Sequence, residues 1–460
     1  MKKLTPIMLA LLAFSLFLGS CKNDETTVTY SDDCYISSVS LSNLRLVHHV
    51  KDSKGQDSSY VTTYVASAFP MTINQRTGVI ENKDSLPFHT VANRVLMTAG
   101  YTSALVWRKA LGEASQDTTW HVFSSKDSLD LSTPIELAAV ASNGVNLRKY
   151  TLKVNIHQQR GDSTVWDVAE PLEAAATGAD VRLIVKDKLL MALYNDAAGM
   201  LHTAVRAAQR TAAWADHTTS LANALPQTVQ LLDGKLYLST SDGQVMQSTN
   251  GITWQAGDFA GQEGLRLVGA GEARLYAICQ GQLLSSDGTA WVQERLDDDA
   301  ANLPQQEVRS VAYSQESGVH RMILYGERQG EIVVWGKAWG TQPEEQEPWM
   351  YYTYNGSLAK RLPALQQLNV IAYDDALVAL GGAGADGTTK ALAQALRSPD
   401  HGVSWTTYEQ GDLNIDAALQ TAAQGARYID VAVDENNFLW VMVDGRLWRG
   451  RINRLGFQQR

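Results

Sequence analysis

The chain has 460 residues, of which 45% are hydrophobic and 19% are charged, so it can bury the cores of two or three domains and is not disordered as a whole. Its 49 acidic residues outnumber its 39 lysines and arginines, which gives a formal net charge of −10. No basic face for phosphate binding is evident, so nucleic acid is not an expected partner.

Residues 1–20 read as a lipoprotein signal peptide. Two lysines precede an apolar run from Ile7 to Leu18 that is too short for an ordinary membrane-spanning helix. The run ends in LGSC, which matches the bacterial lipobox and makes Cys21 the lipid attachment residue. Residues 21–30 follow as an acidic tether. The pattern predicts a lipid-anchored outer-membrane lipoprotein of the cell envelope that is exposed at the cell surface.

Residues 31–158 are predicted to form an immunoglobulin-like β-sandwich. Over residues 150–156 every second residue is apolar, a period typical of a half-buried antiparallel strand. Asn143 and Gly144 supply a hairpin signal before it. Short alternating runs of this kind recur through the segment and favour a sandwich of antiparallel sheets.

The cysteines and histidines give no sign of a metal site or of a disulfide. Apart from Cys21, only Cys34 and Cys279 remain, and they lie far apart in sequence. The nine histidines show no spacing typical of metal ligands. We expect no metal and no cofactor.

Residues 161–460 contain a repeated motif. Two copies close on tryptophans 37 residues apart, and a third lies near residue 400. The members are Ser248, Asn250 and Trp254; Ser285, Asp287 and Trp291; and Ser398, Asp400, Gly402 and Trp405. This pattern resembles the Asp-box repeats of sialidase-like and related propellers. The resemblance implies that the acidic residue ties down the turn between the third and fourth strands and that the tryptophan packs between blades, so we expect structural roles and no catalytic ones.

A second pattern predicts the number of blades. An apolar run, a polar turn and another apolar run recur six times, and six closing tryptophans occur: Trp166, Trp214, Trp254, Trp291, Trp349 and Trp405. The sixth unit has no tryptophan close after it. The segment around Trp166 has no inner strands before it, so we expect it to supply the outer strand of the last blade, near Trp448. Seven blades remain an alternative if Trp335 and Trp349 belong to separate units.

Four segments carry a wider resemblance. Residues 78–87 (GVIENKDSLP), 126–136 (KDSLDLSTPIE), 150–157 (YTLKVNIH) and 448–457 (WRGRINRLGF) are similar to a family of two-part Bacteroidota lipoproteins of unknown function. The resemblance implies an N-terminal sandwich and a C-terminal propeller. It implies no catalytic residues.

A ligand of such a propeller is expected on one end of the ring. That end is formed by the loops from the second to the third strand of each blade and by the connectors from each outer strand to the next blade. The candidate ligand-face residues are Asp242, Glu327, Arg328, Trp349, Tyr351 and Arg361. The aromatic members could stack on sugar rings or could pack between blades.

Two classes of function follow from these features. The first is a non-catalytic binding or scaffold lipoprotein whose partner is a glycan or an envelope protein. The alternative is a sialidase-like glycoside hydrolase or lyase, but the nearest arginine motif, Arg361 with Leu362 and Pro363, comes after two of the repeated turns, which argues against it. No catalytic residue is assigned. A GxGxxG pattern at residues 382–387 has no helical pattern after it, so we interpret it as a loop.

Overall fold

The computed structural model describes residues 30–457 except 52–53, 111–117, 174–180, 315–318, 340–346, 354–359 and 409–412. The chain divides into two compact units between Gly161 and Asp162. Among the described residues, no helix is long and apolar enough to cross a membrane. The cysteine of the predicted lipobox, Cys21, lies outside the described residues, as does the predicted signal peptide.

The first unit is built from short strands in three sheets. Its strands are β1 (Ile36–Leu41), β2 (Leu44–Lys51), β3 (Asp57–Tyr64), β4 (Met71–Asn74), β5 (Val79–Asn82), β6 (Thr90–Val91), β7 (Met97–Tyr101), β8 (Ala104–Lys109), β9 (His121–Val122), β10 (Ile135–Val140) and β11 (Leu147–Lys153). In the described residues, the sheets have the strand orders β4-β5-β11-β10-β8-β9, β3-β2-β6 and β1-β7. A 3-10 helix spans Ala66–Ala68.

The strands of this unit enclose one apolar core. The side chains of Ile135, Leu137 and Leu152 on β10 and β11 are fully buried in it. The turn between these strands is the predicted hairpin: Gly144 has a φ of 69°, and the Asn143 side chain accepts the N–H of Val145 at 2.9 Å. Alternating apolar residues therefore place one face of each strand in the core.

The second unit is a propeller. Its strands are β12 (Thr164–Ala169), β13 (Arg182–Lys186), β14 (Leu189–Asn195), β15 (Met200–Ala207), β16 (Ala215–Ala222), β17 (Gln230–Leu232), β18 (Lys235–Ser239), β19 (Val245–Ser248), β20 (Gln255–Ala256), β21 (Arg266–Gly271), β22 (Arg274–Cys279), β23 (Gln282–Ser286), β24 (Val292–Gln293), β25 (Gln306–Ser314), β26 (His320–Arg328), β27 (Glu331–Trp339), β28 (Met350–Tyr351), β29 (Asn369–Tyr373), β30 (Ala376–Leu380), β31 (Leu396–Ser398), β32 (Thr406–Thr407), β33 (Ile429–Val433), β34 (Leu439–Val443) and β35 (Arg446–Ile452). Its helices are α1 (Ala417–Ala423) and the 3-10 turns Pro226–Thr228, Ala300–Asn302 and Asn453–Gly456.

These strands form six four-stranded antiparallel sheets within the described residues, one for each blade. Blades 1 to 5 run in chain order from β13–β16 to β29–β32, and blade 6 consists of β33, β34, β35 and β12. The innermost strands are β13, β17, β21, β25, β29 and β33. Six blades are confirmed. The seven-bladed alternative is wrong, because Trp335 on β27 lies opposite Tyr351 on β28, so Trp335 and the residue before β28, Trp349, serve the same sheet.

The ring closes as predicted, with the first strand of the unit completing the last blade. Trp166 on β12 lies opposite Gly450 on β35, and Val168 lies opposite Trp448. A Cβ atom added at Gly450 would lie 2.4 Å from the Trp166 indole, so only glycine allows this close approach. Because the two ends of the unit pair in one sheet, the ring is closed where they meet and no strand edge is left open there.

Candidate functional site

The turn from Ser398 to Trp405 is held by its own side chains. Ser398 Oγ accepts the Gly402 N–H at 2.8 Å and donates to Asp400 Oδ1 at 2.8 Å. Burial alone would raise the pKa of Asp400, but hydrogen bonds from Ser404 and Ser398 outweigh it and lower the pKa. Trp405 is buried and donates its indole N–H to the Gly402 carbonyl at 3.2 Å. These polar groups are therefore occupied within the turn.

The turn from Ser248 to Trp254 has the same construction with an asparagine. Gly251 donates its N–H to Ser248 Oγ at 2.8 Å, and Asn250 Oδ1 accepts the N–H of Thr253 at 2.9 Å. The buried Trp254 donates to the Gly251 carbonyl at 2.7 Å. Both turns connect the third and fourth strands of their blades.

The turn near Trp291 differs from the other two. Ser285 donates to Glu294 Oε1 at 2.5 Å instead of to Asp287, which instead accepts from the backbone and hydroxyl of Thr289. The hydroxyl of Thr289 lowers the pKa of Asp287. Trp291 donates to the Ala260 carbonyl at 2.6 Å. The same sequence pattern therefore forms two different hydrogen-bond arrangements.

Three of the predicted ligand-face residues form hydrogen bonds with other groups of the protein. Asp242 accepts the Thr240 hydroxyl at 2.5 Å, and Glu327 accepts the Gly330 N–H at 3.2 Å, so each carboxylate stabilises its own loop. Arg328 donates from Nε to the Ala301 carbonyl at 2.7 Å.

The other three ligand-face residues also have separate partners and lie in different surroundings. Trp349 is fully buried and packs edge-on against Tyr276 with a centroid distance of 5.6 Å, so the interpretation of this ring as a stacking platform is wrong. Tyr351 packs against Trp335 at 5.1 Å. Arg361 lies 3.6 Å from Glu331 in an exposed ion pair. The structure does not bring these six residues together.

A cavity of about 790 Å³ lies at the centre of the ring instead. Each of the six blades contributes to its lining a residue at or shortly before the start of its innermost strand: Val181, Gln227, Arg266, Gln305, Gln367 and Tyr428. The lining also includes the turn residue Gly281 and the connector residues Asp299, Ala300, Ala301, Leu303 and Pro304. Its volume is within the range of small-molecule sites. The cavity lies on the end of the ring where a ligand was expected, but it contains none of the six predicted residues.

Four polar side chains next to the cavity form a hydrogen-bonded layer between inner strands. This polar layer consists of Arg182 on β13, Arg309 on β25, Asn369 on β29 and Asp430 on β33. Asp430 is fully buried and accepts Arg309 Nη1 at 2.5 Å, Arg182 Nη1 at 3.2 Å and the N–H of Leu183 at 2.6 Å. The layer therefore joins blades 1, 4, 5 and 6.

Arg309 is the member of this layer that lines the cavity. Its Nη1 also donates to Asn369 Oδ1 at 2.5 Å, and Asn369 donates to the Ile429 carbonyl at 3.0 Å. Burial alone would lower the pKa of Arg309, but Asp430 and other nearby groups that can carry a negative charge together outweigh it and raise the pKa. Arg309 therefore stays charged beside the cavity.

Backbone irregularities lie in the same wall. The register of β25 shifts between Gln306 and Arg309, and Glu307 has a φ of 48°. The Glu307 carboxylate accepts the Gln367 N–H at 3.1 Å from the neighbouring connector. A second shift occurs between Leu267 and Gly269 on β21. Bulges of this kind redirect side chains and are common beside binding sites.

Sequence reasoning missed both the cavity lining and the polar layer beside it, although one signal exists for the polar layer. A polar residue interrupts the apolar start of three inner strands, as Arg182, Asn369 and Asp430 each stand between two apolar neighbours. The sequence of a single half-buried strand gives no reason to place these residues close together in space. Only the closed ring makes them neighbours.

The chemistry available at the cavity is hydrogen bonding and charge. In the part of the chain that the structure describes, no group of His, Cys, Asp and Glu residues could hold a metal ion. The GxGxxG segment forms a loop in which Asp386 accepts the N–H groups of Thr388 and Thr389 at 3.0 and 3.1 Å. The residues after it form turns, as its interpretation as a loop predicts.

The fold and its central cavity define a six-bladed β-propeller preceded by a smaller all-β domain. Family comparisons agree: the DUF6242 beta propeller domain matches residues 160–460, and the N-terminal domain of the same family of unknown function matches residues 39–154. The chain belongs to this two-domain family.

Solved propeller structures resemble the chain at low identity. SapL1 lectin in complex with alpha methyl fucoside is 15% identical over 62% of this chain and 95% of its own, with a TM-score of 0.37. YCF48 bound to D1 peptide is 14% identical over 62% and 96%, with a TM-score of 0.34. The Trypanosoma rangeli sialidase is 12% identical over 69% of this chain and 57% of its own, also with a TM-score of 0.34. The search of curated proteins gave no match.

Proposed function

We propose that this protein is a non-catalytic binding lipoprotein of the cell envelope, and that its propeller holds a ligand in the central cavity. The observation that carries the proposal is the cavity of about 790 Å³, which all six blades line with both polar and apolar residues. Side chains such as Gln227, Gln305 and Gln367 offer both donors and acceptors to a polar ligand. The partner is a glycan or an envelope protein.

The state of Asp430 supports binding over catalysis. A hydrolase of the glycosidase type needs an acid and a base or nucleophile that can reach the substrate. Asp430 is fully buried, and two arginines and the Leu183 N–H occupy its oxygens. This carboxylate is held as a structural anion.

The proposed location in the cell rests on the lipobox alone. In this proposal Cys21 carries the lipid anchor in the outer membrane, and the acidic residues after it hold the folded domains away from the membrane at the cell surface. A surface position would bring the propeller into contact with glycans and with other envelope proteins.

The test uses the full chain on a glycan array and as bait in a pull-down from an envelope extract. Gln305 is exposed in the cavity wall, so Gln305→Trp should fill the cavity and weaken binding of any captured ligand by at least about tenfold. The matched control is Gln255→Trp, at an exposed glutamine of β20 outside the lining.

Two results would contradict the proposal. Equal binding by wild type and Gln305→Trp would place the ligand elsewhere. Release of a product from a bound glycan, blocked by Gln305→Trp but not by Gln255→Trp, would favour the hydrolase or lyase alternative.

A further inference from the structure

We propose that Arg266 and Arg309 form a carboxylate-binding subsite in the cavity wall, so that the natural ligand carries a carboxylate group. This inference rests on the proposed function, because it assigns the chemistry of a ligand in the same cavity. The carboxylate has two possible sources, a peptide C-terminus or an acidic sugar.

The two arginines lie on neighbouring inner strands. Arg266 begins β21 of blade 3, Arg309 lies on β25 of blade 4, and both line the cavity. Arg266 is exposed, and the structure shows no side-chain hydrogen bond for it. Arg309 has only 15% of its side chain exposed, and its recorded hydrogen bonds all leave from Nη1.

Donors therefore exceed acceptors at this wall. A guanidinium carries five N–H donors and no acceptor, and buried donors are normally paired. A ligand with acceptor oxygens would supply what the wall lacks.

The acidic residues nearby are already engaged. Asp430 is saturated by the polar layer, Glu307 accepts the Gln367 N–H, and Asp299 caps a 3-10 turn by accepting the Ala301 N–H at 2.9 Å. Arg182 and Asp430 offset each other's charge. The charged residues of the cavity lining are therefore Arg266 and Arg309 and two acids, Asp299 and Glu307, that already accept backbone N–H groups.

A carboxylate is the acceptor that suits these two arginines. The Arg266 side chain is exposed in the cavity lining and has no protein acceptor among the described residues, so a carboxylate of the ligand would supply one. The planar fork of a guanidinium also fits the two oxygens of a carboxylate in a bidentate contact. Hydrogen bonds to charged groups of this kind correspond to affinity changes of about tenfold or more.

The experiment compares acids with their neutral analogues by calorimetric titration of the full chain. One pair is the peptide acetyl-Gly-Gly-Ala with a free C-terminal carboxylate and the same peptide as its amide. The other pair is methyl glucuronide with its carboxylate and methyl glucoside. We expect the acid of at least one pair to bind at least about tenfold more tightly than its neutral analogue, and the pair that shows the preference identifies the source.

The variant Arg266→Gln should abolish the preference for the acid. Because the Arg266 side chain has no hydrogen bond in the structure, this variant should unfold at the same temperature as wild type. Arg446→Gln is the matched control, since Arg446 is exposed, begins β35 at the same end of the ring and does not line the cavity. It should keep the preference.

Three results overturn the subsite: no binding of either acid, equal binding of acids and neutral analogues, or a preference that persists in Arg266→Gln. Equal binding that Gln305→Trp still weakens would leave the cavity as a binding site and remove only the carboxylate assignment. If Gln305→Trp has no effect on any ligand captured from the array or the extract, the proposed function fails as well.

Discussion

The sharpest test of the ring's construction is Asp430→Asn. Asparagine has nearly the same shape as aspartate, so the change removes a charge and leaves the packing in place. In wild type the buried carboxylate faces the guanidinium groups of Arg182 at 3.2 Å and Arg309 at 2.5 Å. The variant leaves both cations in the interior without their counter-ion.

The expected cost follows from that burial. Asp430 is 0% exposed, and the side chains of Arg182 and Arg309 are only 20% and 15% exposed, so water replaces the lost carboxylate poorly. Removing one partner of a buried ion pair costs roughly 3–5 kcal/mol. We expect the free energy of unfolding of the propeller to fall by about that amount.

Urea unfolding followed by tryptophan fluorescence measures this loss. Ten of the 12 tryptophans lie after residue 161, so the signal reports mainly on the propeller. The control is Asp434→Asn. Asp434 is also buried, but its recorded partners are neutral: the N–H groups of Asn436 and Phe438, both at 2.9 Å, and the indole of Trp440.

An asparagine at position 434 can still accept the two backbone N–H groups, but its amide nitrogen cannot accept the Trp440 indole N–H, so we expect a loss of about 1–3 kcal/mol there, smaller than that of Asp430→Asn. Equal losses in Asp430→Asn and Asp434→Asn would refute the argument from unpaired buried charge. The double variant Asp430→Asn/Arg309→Gln should recover part of the stability, because it removes one of the two stranded cations.

Three further predictions concern single residues. Gly402→Ala should lower the free energy of unfolding by roughly 1–3 kcal/mol, because φ is 95° and the new Cβ would meet Ile323 at 3.3 Å; Gly387→Ala, with φ of 68° and open space, should cost less in the same urea assay. The hydroxyl and N–H of Thr388 hold the pKa of Asp386 at about 2, below the unfolded value near 3.9, so its contribution to stability is present above about pH 4 and is lost as the pH falls through 2. An NMR titration should show that midpoint, and Thr388→Ala should raise it; an unchanged midpoint contradicts the assignment. Cys21→Ala should abolish incorporation of labelled fatty acid and membrane association, and a variant that remains acylated would exclude the lipobox.

Much of the fold could be predicted from local sequence features. The paired apolar runs and the recurring tryptophans predicted six blades. The Trp166 segment, which has no paired apolar runs before it, predicted the closing strand that pairs with β35. These predictions succeed because strand alternation, turn residues and bulky apolar side chains act over a few neighbouring positions. The Ser398 turn is another such case, since all its main bonds lie within five residues.

The candidate site could not be predicted in the same way. Arg182 and Asp430 are 248 residues apart, and Arg309 and Asp430 are 121 apart, yet each pair is in hydrogen-bond contact. Trp349 shows the converse, because an aromatic residue that sequence places beside a candidate loop is enclosed between strands.

The amino-acid sequence by itself determined the all-β class and the strand that closes the ring and favoured six blades over seven, since each depends on patterns within one blade or at the two ends of the propeller; the pairing of β27 with β28 then decided the number of blades. Tertiary structure alone decided which polar residues surround the cavity. Ring closure brings the inner strands of blades 1, 4, 5 and 6 together, and the buried charges of Arg182, Arg309 and Asp430 are tolerated only where those strands let them pair.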